Sequence, residues 1–294
     1  MKLLLAGANS YVGSRLLPFL LQNGHEVVCV VRDKRLFAEQ NKYPNVTLLN
    51  GDLLRRRGIE AFPEDIDAAF FLANRLTQTS GFAALEALSA QNFMEVLNKT
   101  QCRQLITISP ISDSPPVHLE NILASGKAAL TGLQTSMVIG GGSISLQLFE
   151  ALTQNTPIVI TRQWAKTLFQ PIYIDDLLTS LHNCLRNKET FNRRFDVGGS
   201  QVLTFKQMML VYIATNVEVK PGVVILPFLS SKLASYLVNF LSPVSYPEAQ
   251  SLIQSLDHDS VCHNLNPDIV PSDSTTFKQS LRLIHDRSGE KVLA

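Results

Sequence analysis

Only 17% of the 294 residues are charged, and 26 basic residues so nearly cancel 25 acidic ones that the net charge is +1. No field of one sign exists that would by itself hold nucleic acid or an anionic membrane surface. Cysteine is sparse as well. Cys29, Cys102, Cys184 and Cys262 stand far apart and form no CxxC pair, which excludes a disulfide framework and a cysteine zinc site and points to reduced thiols in a cytoplasmic protein. Long apolar runs are lacking too. The opening residues 1–8, apolar apart from Lys2, stop at Asn9 and Ser10, too soon for the core of a signal peptide, so they read as a first β-strand. A second apolar stretch, 223–244, is broken by Pro227, Lys232 and Asn239. Each would be costly in lipid, so a core or groove-lining helix is expected there and no transmembrane segment. GxSxG, HExxH and Walker motifs do not occur.

What the chain does have is apolar residues, at 45%, and these alternate as short runs and helical segments over the first two hundred positions. That is the sequence form of repeated βαβ units, hence an α/β fold with a doubly wound parallel sheet covered on both faces. Strands are expected at 2–6, 27–31, 46–49, 68–72, 105–108 and 135–139, each bounded by turn residues or followed by helix signals. Helices are expected at 11–22, closed by Asn23-Gly24, and at 82–97; Pro18 interrupts the first. After Gly140 the pattern shifts to a helix at 146–152, a strand at 158–161, and a helix that Asp175 or Asp176 caps and that ends near Arg186. From about Lys220 the chain is richer in Pro and Ser and ends in a polar tail without a clear period. The expected organisation is therefore a dinucleotide-binding domain over 1–219, with substrate-side insertions, and a small C-terminal segment over 220–294.

Directly after the first strand stands Gly7-Ala8-Asn9-Ser10-Tyr11-Val12-Gly13, opening the first helix. A phosphate-binding strand-to-helix turn uses a first glycine for the tight turn, a second for close backbone approach to a pyrophosphate, and a third for packing of helix on strand. Gly7 and Gly13 suit the first and third roles. Ser10 occupies the second, where its hydroxyl either donates to a phosphate oxygen or crowds the site. The end of the second strand separates the two nicotinamide dinucleotides: an acid there bonds the ribose 2′-OH of NAD, whereas an arginine accommodates the 2′-phosphate of NADP. Val31 is followed by Arg32, whose planar guanidinium suits a phosphate, so NADP is expected rather than NAD. Asp33 offers a competing ribose ligand, and Arg55, Arg56 and Arg57 read first as a solvated loop.

At these residues the chain resembles the atypical, extended-type short-chain dehydrogenase/reductases of the NAD-dependent epimerase/dehydratase group, which have the Rossmann fold. The loop from Gly7 to Gly13 is similar to that group's GATGYVG loop with Ser10 in place of the middle glycine, which implies cofactor contacts from Gly7, Asn9, Ser10, Tyr11, Val12 and Gly13. Val30-Val31-Arg32-Asp33 resembles its NADP-type strand end. Gly51-Asp52-Leu53 resembles its adenine-side turn, which implies Asp52 and Leu53 beside the base. Phe71-Leu72-Ala73-Asn74 resembles the fourth strand end, with Ala73 near the ribose and phosphates. Segments 139–143, 170–176 and 195–199 resemble later group segments in the expected order.

The departure lies in the catalytic region. The resemblance implies a Ser followed by a Tyr and, four residues on, a Lys. Ser109 stands at the matching strand end, but no tyrosine occurs between Tyr43 and Tyr173, and the lysine that follows is Lys127. The candidate catalytic residues are thus Ser109 and Lys127, with His118 a further acid–base candidate. The cluster Asp257-His258-Asp259-Ser260-Val261-Cys262-His263 mixes metal-ligand types, but its spacing matches no standard zinc signature, so it reads as a polar turn and no metal is expected. Two functions are consistent with these residues. One is an NADPH-dependent oxidoreductase acting on an unidentified small molecule. The other is a non-catalytic NADP(H)-binding sensor or protein-interaction module, with the apolar stretch 228–241 facing a partner.

Overall fold

The structure is a computed structural model describing residues 1–40, 43, 45–56, 58–72, 80–112, 117–153, 158–161, 163–217, 222–225 and 246–292. The first elements along the chain are β1 (Lys2–Ala6), α1 (Gly13–Gln22), β2 (Glu26–Val31), α2 (Lys34–Gln40), β3 (Val46–Asn50), β4 (Ala68–Phe71), α3 (Ser80–Leu97), β5 (Gln104–Pro110), α4 (Val117–Ala124) and β6 (Ala129–Thr135). Then come β7 (Val138–Ile139), α5 (Ile144–Thr153), β8 (Ile158–Thr161), β9 (Leu168–Phe169), β10 (Ile172–Tyr173), α6 (Ile174–Asn183) and β11 (Arg193–Val197). The chain closes with β12 (Leu203–Thr204), α7 (Phe205–Asn216), β13 (Gly222–Ile225), α8 (Tyr246–Ser255) and α9 (Phe277–Val292). By compactness they fall into two units, Met1–Gln134 with Leu178–Phe195, and Thr135–Leu177 with Asp196–Ala294. The stretch 1–219 thus contributes to both.

The first unit is built on a seven-stranded sheet in the order β3-β2-β1-β4-β5-β6-β11. β1 pairs in parallel with both β2 and β4, β2 with β3, and β4 with β5. Strand order therefore reverses at β1, and a doubly wound sheet opens its ligand crevice at such a point, beyond the carboxyl ends of the strands. Leu3, Leu4, Leu5 and Ala6 are completely buried, as a strand covered on both faces requires. α1 turns Leu16, Leu17 and Leu20 inward around Pro18, and Gly24, at φ +76°, reverses the chain into β2. On the α3 side, Phe93 packs against Phe71 and Phe62 at centroid distances of 5.1 and 5.6 Å. Cys29, Cys102 and Cys184 are buried free thiols, raised by desolvation to about 12, 11 and 12, in keeping with inert core residues.

The first five strands lie where the apolar runs put them; the sixth does not. It is Ala129–Thr135, and the expected run 135–139 instead yields β7, which pairs with β10 in a separate two-stranded sheet. Thr131, Gly132 and Gln134 hide the strand in the sequence. Buried polar partners make it possible. Gln104 Nε2 donates to Thr131 Oγ1 (3.0 Å), Thr190 Oγ1 (3.2 Å) and the Cys184 carbonyl (2.8 Å). Its Oε1 accepts from the Arg186 amide at 3.1 Å, where Arg186 sits at φ +59°. One amide thus ties β5 and β6 to the turn that follows α6.

The second unit packs around Phe149 of α5, which stacks on Phe205 (5.2 Å) and Tyr212 (5.6 Å) of α7 and meets Phe277 of α9 at 5.8 Å. α7 starts with a reciprocal capping box between Thr204 and Gln207. The terminal stretch that reads as a polar tail is a 16-residue helix, α9, anchored by buried Phe277, Ser280 and Leu281. Its narrow apolar stripe among charged residues is what conceals the period. Asp175 and Asp176 do not cap α6 but lie within its first turn, and Asp176 accepts from the Thr275 amide at 2.7 Å. The segment 257–263 is laid against strand backbone. Asp259 accepts from the Leu168 amide (2.8 Å), and Asp196 from the amides of His263 (2.7 Å) and Asn264 (2.9 Å). No helix among the described residues is long and apolar enough to cross a membrane.

Gln104→Met keeps volume but strands buried hydroxyl and peptide groups, so it is expected to lower unfolding stability by about 2–4 kcal/mol. Leu283→Ala, at an exposed site on α9, is expected to stay within about 0.5 kcal/mol. Urea denaturation of the full chain measures both.

Candidate dinucleotide site

The turn between β1 and α1 is set by two glycines. Gly7 sits at φ +93°, a backbone conformation that L side chains rarely adopt. A Cβ on Gly13 would lie 2.1 Å from the Gly7 carbonyl oxygen, so only glycine lets α1 start this close to β1. Ser10 is locked into the turn. Its amide donates to the Gly7 carbonyl (2.9 Å), its carbonyl accepts from the Ser14 amide (2.9 Å), and its Oγ accepts from the Gly13 amide (3.0 Å). With that lone pair occupied, the hydroxyl proton points elsewhere. Among the described residues no hydrogen bond engages the Val12 amide. Val12 is buried and Asn9 exposed. Arg15 lies 4.1 Å over the Tyr11 ring and donates to the Tyr11 carbonyl at 3.4 Å, which fixes the turn from its far side. α1 has no acid in its first turn, so nothing offsets the positive end of its dipole.

At the end of β2, Arg32 and Asp33 are both exposed but differently engaged. Asp33 Oδ1 accepts from the amides of Arg35 (2.8 Å) and Leu36 (3.2 Å), capping α2. Arg32 forms no ion pair among the described residues. Its neighbours are spoken for: Lys34 pairs with Glu60 at 2.7 Å, Arg55 with Asp52 at 3.5 Å, and Arg56 with Glu95 at 2.9 Å. Glu60 and Glu95 are held below the usual carboxylate range by these hydrogen bonds.

The turn after β3 is packed without slack. A Cβ on Gly51 would meet Val30 Cγ1 at 2.8 Å. Asp52 Oδ1 accepts from the Leu54 amide at 3.1 Å, and Asn92 of α3 donates to the Leu53 carbonyl at 2.8 Å. Asn92 thus holds this turn, a contact that the sequence does not advertise, since its partner stands 39 residues away. Ala73, Arg57 and the stretch 228–241 lie outside the described residues.

Ser109 is buried near the carboxyl end of β5. Lys127 is exposed at the other end of the sheet: its amide donates to Asn98 Oδ1 (3.2 Å), and the Ala129 amide two residues on donates to the carbonyl of Arg103, just before β5. Six strand residues at about 3.3 Å each put Arg103 roughly 20 Å from Ser109, so the structure does not bring Lys127 to Ser109. α4, the short helix that follows Ser109, spans only Val117–Ala124, and the chain is back at the start of β6 by Lys127. His118 is exposed on α4.

Residues 7–133 match a family model described as NAD(P)H-binding. No curated protein matches the sequence significantly. Among solved structures, a triphenylmethane reductase from Citrobacter sp. complexed with NADP(H) is similar over 97% of this chain and 100% of its own, with a TM-score of 0.73 at 15% identity. A nucleoside-diphosphate-sugar epimerase from Staphylococcus aureus is similar over 96% and 100%, with a TM-score of 0.72 at 13% identity. UDP-glucuronic acid 4-epimerase from Bacillus cereus, in complex with UDP-glucuronic acid and NAD, is similar over 87% and 99%, with a TM-score of 0.61 at 15% identity. Residues 7–133 thus match an NAD(P)H-binding model, and the chain as a whole has the Rossmann fold that these epimerases and reductases share.

Proposed function

We propose that this protein binds NADP(H) in preference to NAD(H) and serves as a reductase for acceptors that do not depend on a tyrosine proton donor. One observation carries the nucleotide preference: Arg32 stands at the end of β2 without an acid partner among the described residues, while Asp33 beside it caps α2. A bare guanidinium there favours a 2′-phosphate, and an aspartate engaged by backbone amides is a poor ribose ligand. Ser10 supplies a hydroxyl donor, and the Val12 amide a backbone donor, to the pyrophosphate at the positive end of α1. Gly7, Asn9, Tyr11 and Gly13 shape the same turn, and Asp52 and Leu53 flank the base; Ala73, which the resemblance implies near the ribose and phosphates, lies outside the described residues. The nicotinamide, when bound, supplies the hydride.

The chemistry of the acceptor follows from what stands near the end of β5. Ser109 offers one hydroxyl, no tyrosine follows it until Tyr173, and Lys127 lies at the far end of the sheet. A ketone reduced by hydride becomes an alkoxide that needs a proton, and general-acid help there contributes about 10²–10⁴-fold. A quinone becomes a stabilised anion and a delocalised carbocation a neutral product, so neither depends on that proton. The fold shared with a triphenylmethane reductase is consistent with acceptors of this kind. A second reading, a non-catalytic NADP(H)-binding module, is favoured by the same separation of Ser109 from Lys127.

Calorimetry is expected to show NADPH binding more than tenfold tighter than NADH, with Arg32→Ala removing most of the difference, since charge-assisted bonds to a phosphate contribute about 1.5–3 kcal/mol. Equal affinities in the parent would overturn the assignment of Arg32. Ser10→Ala is expected to weaken both nucleotides by about tenfold, one hydrogen bond's worth; tighter binding would mean that the side chain crowds the phosphates. In NADPH oxidation assays, quinones and cationic acceptors are expected to be reduced, ketones at least a hundredfold more slowly, and Lys127→Met to change nothing. Efficient ketone turnover that survives Ser109→Ala would reveal another proton donor, whereas inertness toward every acceptor together with tight NADPH binding would establish the module.

A further inference from the structure

At the amino-terminal edge of the same sheet, away from the loop at Gly7, two imidazoles face each other. His25, in the turn between α1 and β2, places Nε2 3.1 Å from Nε2 of His182 in the last turn of α6, with ring centroids 5.3 Å apart. Phe19 of α1 sets its ring against His182, 5.9 Å between centroids and nearly perpendicular. The contact therefore holds the carboxyl ends of α1 and α6 together within the first unit.

An N–H···N bond between two imidazoles needs one proton on the shared axis, no more and no fewer. The buried Nδ1 of His25 has no hydrogen-bond partner, so a proton placed there would be a stranded donor. This assigns the tautomers: His25 carries its proton on Nε2 and donates, and His182 accepts on Nε2 with its proton on Nδ1. Protonating His182 points two N–H groups at each other across 3.1 Å, and shifting the His25 proton to Nδ1 strands it in the core.

We propose that His25 and His182 form a proton-sensitive latch, closed while both rings are neutral and opened at the carboxyl ends of α1 and α6 when the pair takes up a proton. The charges around the pair act in one direction on His25. Burial holds its pKa below the ordinary histidine value, and the Met1 amino group, His182 and Arg186 reinforce that. Arg186 in turn lies 3.9 Å from Asp67, while Lys2, beside the Met1 amino group, is paired with Asp65 (3.0 Å) and Glu26 (3.5 Å). Because the folded His25 is depressed relative to the unfolded chain, the stability it contributes is present above the unfolded value near 6.5 and is lost as pH falls through the folded one.

The test is amide hydrogen exchange on the full chain between pH 7.5 and 5, corrected for intrinsic exchange, with the two imidazoles followed by NMR. Opening at residues 22–26 and 181–185 is expected to increase toward tenfold per pH unit as pH falls from the unfolded value near 6.5 toward the folded pKa, the slope for one linked proton, and to level off below it. His25→Gln, which keeps a donor but does not titrate as an imidazole, is expected to flatten that dependence. Should His25→Gln fold poorly, His182→Asn provides the same comparison. Two imidazoles titrating independently near 6.5, or opening that rises equally in parent and variants, would overturn the latch.

Discussion

The near-contact between Gly13 and the Gly7 carbonyl is the constraint from which the rest of the nucleotide site follows. With no Cβ at position 13, α1 begins against the end of β1, and a methyl group there would overlap the carbonyl at 2.1 Å. That closeness brings the first turn of α1 to the point where strand order reverses, which is where a doubly wound sheet opens its crevice. It also brings Ser10 within reach of the Gly13 amide, so the residue that departs from the usual glycine is integrated into the turn.

The charged groups at the ends of β2 and β3 and on α3 differ in how they are engaged. Asp33, Asp52, Glu60 and Glu95 are each engaged, the first by helix amides and the others by Arg55, Lys34 and Arg56. Arg32, at the strand end, forms no ion pair among the described residues. Surface pairs of this kind add little to stability.

Much of this was legible in the sequence. β1, β2 and β4 are nearly continuous apolar runs, and buried parallel strands declare themselves that way. The loop was legible because glycine at a positive φ and glycine at a close approach have no substitutes. Three features were not. β6 contains Thr131, Gly132 and Gln134, whose burial depends on Gln104 and Thr190, partners distant in sequence. α9 presents only a thin apolar stripe. Lys127 is near Ser109 along the chain but lies at the opposite end of the strand, because α4 is too short to carry it to the carboxyl edge. In each case the deciding contact is tertiary, and no local period records it.

The central claim is that the turn from Gly7 to Gly13, together with Arg32, is a working dinucleotide cradle. Hydrogen exchange with and without saturating NADPH tests it most directly, because it reads the backbone of the turn itself. The account predicts protection concentrated at residues 9–13 and 31–36, with the amides of β6 and α9 unchanged. Undiminished exchange in both stretches at saturating NADPH would contradict it.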